Sequence, residues 1–215
     1  MSHTASRTRV ARAAREATVR TPQQQRARAK VARILRAAEQ SFSRVGYAHT
    51  TIARIARLAR VSVGTVYAYF VDKDDVLKHL LTQHVEMLLQ PAEALVRNLP
   101  PAATIGPTLT ALVRESLRTH TAHAGLHRVF TERIMQDAKL RELAGVFRER
   151  GLQLGRTLVT RFGGARARAD LEASAQVLIG LLEFCTHIGV LYPSQVTPHR
   201  ACAVGCAMLC AYFAA

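Results

Sequence analysis

The chain has 215 residues, 49% of them hydrophobic, and thirty Lys and Arg against fifteen Asp and Glu leave a net charge of +15. That length and apolar fraction exclude a wholly disordered chain and allow one large domain or two small ones. Four cysteines (Cys185, Cys202, Cys206 and Cys210) without a Cys-x-x-Cys pair exclude a secreted disulfide framework, and the basic balance points to a polyanionic partner.

The cations are nearly all arginine, the residue suited to forked contacts with phosphate. They are also concentrated: residues 1–75 hold 15 Lys and Arg but only 5 Asp and Glu, which is two-thirds of the net charge in one-third of the chain. The N-terminus has no apolar run of the kind a signal peptide needs. The greasiest stretches, "VLIGLLEFCTHIGVLY" and "ACAVGCAMLCAYFAA", are too short to span a bilayer. The expectation is a cytoplasmic protein with no membrane partner.

Helical spacing recurs along the chain and period-2 alternation does not, so the fold class is all-α. Residues 1–20, with five Arg and little to bury, read as a flexible basic arm. Thr21, Pro22 and Gln24 form a capping-box start, followed by Val31, Ile34, Leu35, Ala38, Phe42 and Val45 at helical spacing, with Gly46 as a left-handed stop. Thr51 caps a short second helix with Ile52, Ile55 and Ala56 inward and Arg54 and Arg57 outward. Ser62 caps a third, "VGTVYAYF". Asp72 caps a fourth, with Asp74 and Asp75 in its first turn. Pro91 is expected to kink or split that helix. Helices at about 107–122, 125–136, 138–162, 170–192 and 198–214 bring the count to about nine, punctuated by Gly125, Gly163, Gly164 and Pro193.

A short helix, a tight turn and a second short helix make a helix-turn-helix, the second helix seated in the major groove. Ala56 and Val66 suit the crossing, and Val61 anchors the turn. Val63, Gly64, Thr65, Tyr67, Ala68 and Tyr69 are left facing mainly outward. Gly64 allows close backbone approach to DNA, while Thr65, Tyr67 and Tyr69 offer hydroxyls to the sugar-phosphate rails, and Lys73 adds a point charge.

"TTIARIARLARVSVGTVYAYFVDKDDVL", residues 50–77, resembles the DNA-binding signature of the TetR (tetracycline-repressor-like) regulators. Thr-Thr, the Ile-Ala pair, Val-Ser, Gly-x-x-Tyr-x-Tyr-Phe and the Lys before acidic and Leu residues all match without a gap. The turn position, usually Gly in that family, is Arg60 here. A left-handed backbone there costs about 1 kcal/mol relative to Gly, unless the turn relaxes or the guanidinium recovers it on a phosphate.

The resemblance implies DNA contacts by Thr51, Val63, Gly64, Thr65, Tyr67, Tyr69 and Lys73. The third helix carries no Arg, Asn or Gln for bidentate base contacts. Arg54 or Arg57, the N-terminal arm and DNA shape are therefore expected to supply specificity. The expected organisation is a basic arm (1–20), a DNA-binding domain (21–72) and a helical effector-binding and dimerisation domain (73–215).

By the same resemblance the last two helices pair with those of a second copy, and the homodimer reads double-stranded DNA at a palindromic operator. Met87, Leu126, Phe130, Ile134, Met135, Phe147 and Phe184 are the candidate lining of a cavity for an unknown small-molecule effector. Cys202, Cys206 and Cys210 form one helical stripe and read as small hydrophobes. His120, His123 and His127 are expected to be separated by a helix break at Gly125, so no metal site and no cofactor are expected. Without a nucleophile elbow, zinc spacing or phosphate loop, an enzyme is not expected. The implied function is a regulator, in the main a repressor, released from DNA by its effector. The alternative is an architectural or weakly specific DNA binder without effector control.

Overall fold

The computed structural model describes residues 3–188, 191 and 195–214, with side chains from residue 24 onward. Its elements are all helices: α1 (His3–Val45), α2 (Ile52–Ala59), α3 (Val63–Tyr67), α4 (Lys73–Arg97), α5 (Ile105–Ala122), α6 (Ala124–Gln136), α7 (Ala138–Phe162), α8 (Ala165–Ala169), α9 (Leu171–His187) and α10 (Pro198–Ala214). The all-α expectation holds. The described residues carry ten helices rather than about nine, the addition being the single turn α8 after Gly163 and Gly164. α1 runs as one helix through the stretch expected as a flexible basic arm and through the expected Thr21–Pro22 start, whose side chains lie outside the described residues. The chain divides into two compact units, Met1–Leu77 and Lys78–Ala215.

In the first unit, apolar residues at helical spacing close around one small core. Ile34, Ala38 and Phe42 of α1, Ile55 and Ala56 of α2, Val66 of α3, and Phe70, Val76 and Leu77 beyond it are all buried. The turns are fixed by polar chemistry. Gly46 ends α1 at φ +77°, and the Thr50 hydroxyl donates to its carbonyl at 2.8 Å. Thr51 stays extended and its hydroxyl accepts the Arg54 N–H at 3.1 Å; Ser62 does the same for Thr65 at 3.1 Å. These are the N-caps that residue type and spacing predict. Asp72 accepts the Asp75 N–H at 2.7 Å, and Asp75 in return accepts the Val71 N–H at 3.1 Å.

Arg60 takes the left-handed conformation at φ 52° and ψ 50°, its N–H directed to the carbonyls of Ala56 and Arg57. The turn does not relax to spare the side chain. The geometry that glycine usually supplies is kept, and the arginine bears its conformational cost.

In the second unit α9 is the central element, flanked by α7, α5 and α10. Close approach needs small residues. A Cβ on Gly155 of α7 would lie 3.0 Å from the Ala175 carbonyl of α9, and one on Gly205 of α10 would lie 2.8 Å from Cys185 Sγ. Leu109, Leu158, Val159, Leu178, Leu209 and Phe213 fill the space between these helices. Arg150 of α7 binds Glu86 at 2.5 Å and Glu93 at 2.9 Å, both on α4.

Proline and glycine punctuate these helices differently from the sequence expectation. α4 runs through Pro91 without interruption, because a proline removes one N–H and need not end a helix whose other bonds and packing persist. The α5–α6 break is at His123, while Gly125 sits inside the first turn of α6.

Candidate DNA-binding face and ligand cavity

On α3 the inward position is Val66, with Phe70 just beyond it, both buried. Val63, Gly64, Tyr67 and Ala68 are exposed, Tyr67 at 55%, while Thr65 and Tyr69 are half-buried. Thr65 Oγ1 lies 2.8 Å from Ser62 Oγ, so that hydroxyl is partly engaged in the cap. A Cβ on Gly64 would meet only Ser62 Oγ, at 3.9 Å. No neighbour in the chain therefore requires glycine there. Thr51 is exposed at the start of α2, and Arg54 is half-buried with its Nε buried and without a hydrogen-bond partner.

Lys73 is placed differently from the freely projecting charge the sequence suggests. Its Nζ donates to the carbonyls of Tyr47 at 3.1 Å and Thr50 at 3.2 Å. It also lies over the Tyr47 ring, whose hydroxyl donates to Asp74. Two of its three donors thus tie the start of α4 to the α1–α2 corner.

The second unit carries a partly open cavity of about 570 Å³. Leu81, Val85, Leu88 and Leu89 of α4, Phe130 and Ile134 of α6 and Phe147 of α7 give it apolar walls, with Ser116, Arg141, Arg148 and Glu183 as polar points. Four of the seven side chains picked from sequence, Phe130, Ile134, Met135 and Phe147, are in the lining. Met87 and Phe184 are instead exposed, at 41% and 54%, and Leu126 is buried core outside the lining. Apolar character at helical spacing marks a face to be covered, and it does not say whether core, cavity or another surface covers it.

Histidines form part of the wall of this cavity. His84, His120, His127 and His187 all contribute to its wall, from α4, α5, α6 and α9. The ring centroids of His120, His127 and His187 are 4.5–4.9 Å apart, and His84 is 5.5 Å from His127. The expected separation of His120 from His127 does not occur: the break at His123 turns α6 back so that both rings meet. Sequence reasoning missed His84 and His187. Their signal was weak, a lone histidine among the leucines of α4 and another at the end of an apolar helix.

Burial drives these imidazoles toward the neutral form. It lowers His84 to about 3 and His187 to about 4, with the neighbouring histidines adding to the effect. His127 and His120 are lowered for the same reason, and for His120 the hydrogen bond to the Ser116 carbonyl opposes the shift. Glu183 is raised by its protein surroundings, against the pull of Arg148.

The cysteines are free, and Cys185 and Cys202 are buried. Burial pushes the Cys202 thiol up to about 11, with neighbouring thiols adding to it, which disfavours the reactive thiolate. Among the described residues no helix is long and apolar enough to cross a membrane.

Residues 34–80 match the model of the bacterial regulatory proteins of the tetR family. No curated protein matches the chain. Solved structures share its fold. A protein from Mesorhizobium loti MAFF303099, assigned to the TetR-family transcriptional regulators, superposes with a TM-score of 0.71 at 20% identity, over 88% of this chain and 97% of that one. The fatty acid degradation regulator FadR from Bacillus halodurans gives 0.67 at 20% identity, over 84% and 94%. The TetR family transcriptional regulator PfmR from Thermus thermophilus gives 0.61 at 18% identity, over 84% and 94%. The matched segment lies on the helix-turn-helix: residues 34–80 match the bacterial regulatory proteins of the tetR family, and the chain as a whole shares the fold of these solved structures.

Proposed function

We propose that the chain is a repressor that binds a palindromic operator as a homodimer and is released by a small molecule held in the second unit. The observation that carries this reading is the outward set on α2 and α3. Val63, Gly64 and Tyr67 are exposed beside Thr51 and Thr65, while Val66 and Phe70 anchor the helix from behind. Val63 and Gly64 suit close approach to base edges. Thr51, Thr65, Tyr67 and Tyr69 suit phosphate and sugar contacts, and Arg54 supplies a guanidinium nearby. Lys73 keeps one donor for a phosphate after serving the two carbonyls.

Self-association is supported by α9 and α10. Val177 and Phe184 of α9 and Val204, Met208 and Tyr212 of α10 are exposed apolar side chains, Val204 and Met208 at 62% and 60%. Exposed apolar stripes on two packed helices fit a four-helix interface with a second copy. The cavity fits an effector that is largely apolar with one polar end. Fatty acids are a first class to screen, since a structural neighbour is named a regulator of fatty acid degradation.

The test is selection of genomic fragments by the purified protein, followed by competition with scrambled DNA across a salt series. A strong preference for the selected sequence, lost on adding a compound that raises the melting temperature, supports the proposal. Equal affinity for scrambled DNA would leave the architectural binder as the correct description.

A further inference from the structure

The histidine cluster has a geometry that apolar packing does not need. We propose that His120, His127 and His187 bind a divalent transition metal of the zinc class in the wall of the cavity, with a coordination position open toward its interior. One ligand comes from each of α5, α6 and α9, and the three ligand nitrogens lie within 4.8 Å of one another. His120 Nε2 and His187 Nε2 are 3.1 Å apart. A tetrahedral metal held about 2.0–2.1 Å from each nitrogen spaces them about 3.3–3.4 Å apart, so this pair needs to open by only about 0.2–0.3 Å.

The outer nitrogens of His120 and His127 are arranged as metal-bound histidines need. His120 Nδ1 lies 2.8 Å from the Ser116 carbonyl, to which it donates, and this leaves the lone pair on Nε2 facing the cluster. His127 Nδ1 lies 3.4 Å from His84 Nε2, and its own Nε2 is buried with no hydrogen-bond partner. His84, 2% exposed, is thereby a positioning residue for His127. Its Nδ1 is likewise buried without a partner. A buried polar atom left unpaired is costly, and a cation shared by the inward nitrogens relieves that cost at His127.

Ligand chemistry narrows the ion. Three neutral imidazoles suit Zn(II), Cu(II), Ni(II) or Co(II) and not the oxygen-seeking Mg(II) or Ca(II). The thiols of Cys185 and Cys202 belong to a separate cluster of apolar residues with Val113 and Leu117. Three protein ligands leave room for a fourth from water, from Glu183 one turn before His187, or from the polar end of a molecule in the cavity.

The experiment uses the full chain without a histidine tag, stripped with EDTA, dialysed and titrated with Co(II), then Zn(II). The expected result is one ion per chain, with the intense visible d–d absorption of four- or five-coordinate Co(II), no thiolate charge-transfer band, and displacement by Zn(II). His120→Gln and His127→Gln, checked for helicity by circular dichroism, each weaken Zn(II) binding at least about tenfold, and so does His84→Phe. His199→Gln, at an exposed position on α10, leaves it unchanged. Absence of the Co(II) spectrum in the unaltered chain overturns the proposal, whatever the variants do. A thiolate band, or full affinity in both folded ligand variants, overturns it as well. DNA binding is not the readout, so this result and that of the operator selection stand independently.

Discussion

Lys73 Nζ sits 4.1 Å above the centre of the Tyr47 ring while donating to the carbonyls of Tyr47 and Thr50. An ammonium so placed works first inside the protein. Lys73→Ala therefore lowers the stability of the chain by about 1–3 kcal/mol, the sum of lost charge-assisted hydrogen bonds and a cation–π contact. Urea denaturation measures it. An unchanged midpoint, with DNA affinity reduced, would show that the lysine serves only phosphate.

Gly64 separates fold from recognition in the opposite way. A Cβ there meets only Ser62 Oγ at 3.9 Å. Gly64→Ala therefore leaves stability unchanged or raises it by up to about 1 kcal/mol, as expected for Gly to Ala within a helix. Affinity for selected DNA falls about tenfold, a loss of about 1.4 kcal/mol. Fluorescence anisotropy on a labelled duplex decides the matter, and undiminished affinity would place the DNA elsewhere on the unit.

Arg60 holds φ 52° where glycine is free of strain. Arg60→Gly stabilises the chain by about 1 kcal/mol, the left-handed penalty of a side chain. If the guanidinium also meets a phosphate, the same variant lowers the slope of log affinity against log salt by about one. Loss of stability in this variant would mean that Arg60 makes a compensating contact within the unit.

In metal-free protein the buried imidazoles set an acid limit. The folded-state pKa of His84 is about 3, below the ordinary 6.5, so protons bind the unfolded chain more readily. Its contribution to stability is complete above about pH 6.5 and declines as pH falls toward 3. Between pH 7 and pH 5 His84 alone removes about 2 kcal/mol, and His127, His120 and His187 act in the same direction. Denaturation with EDTA present at the two pH values checks it, and identical midpoints would contradict burial of the cluster.

Met208 stands 60% exposed in the middle of the α10 stripe between Val204 and Tyr212. Met208→Lys puts a charge into that apolar surface while sparing the chain's own core. The expected outcome is a monomer by analytical ultracentrifugation, with helicity intact. A dimer of unchanged strength would exclude α10 from the interface.

The first unit was legible in the sequence because its signals are local. Thr51, Ser62 and Asp72 announce helix starts by residue type, and Gly46 and Val66 fall where a stop and a buried crossing must be. Arg60 was the open question, and only the backbone could say whether the turn relaxed. The second unit was legible as helices and little more. Met87 and Phe184 look like lining residues because hydrophobicity has no direction beyond the face it marks. His84, His120, His127 and His187 lie on four helices as much as 103 positions apart in number. Their meeting depends on how the chain reverses at His123 between α5 and α6, and no local residue signal gives that angle.

Gly205 has a consequence for association. The sulfur of Cys185 lies 2.8 Å from where a Cβ on Gly205 would stand, so α10 lies close against α9. The ridge of Val204, Met208 and Tyr212 is thus mounted on a stiff plate, its shape settled before any encounter. A rigid surface gives up little freedom on docking, so in the proposed homodimer a modest apolar area would suffice to hold two copies together.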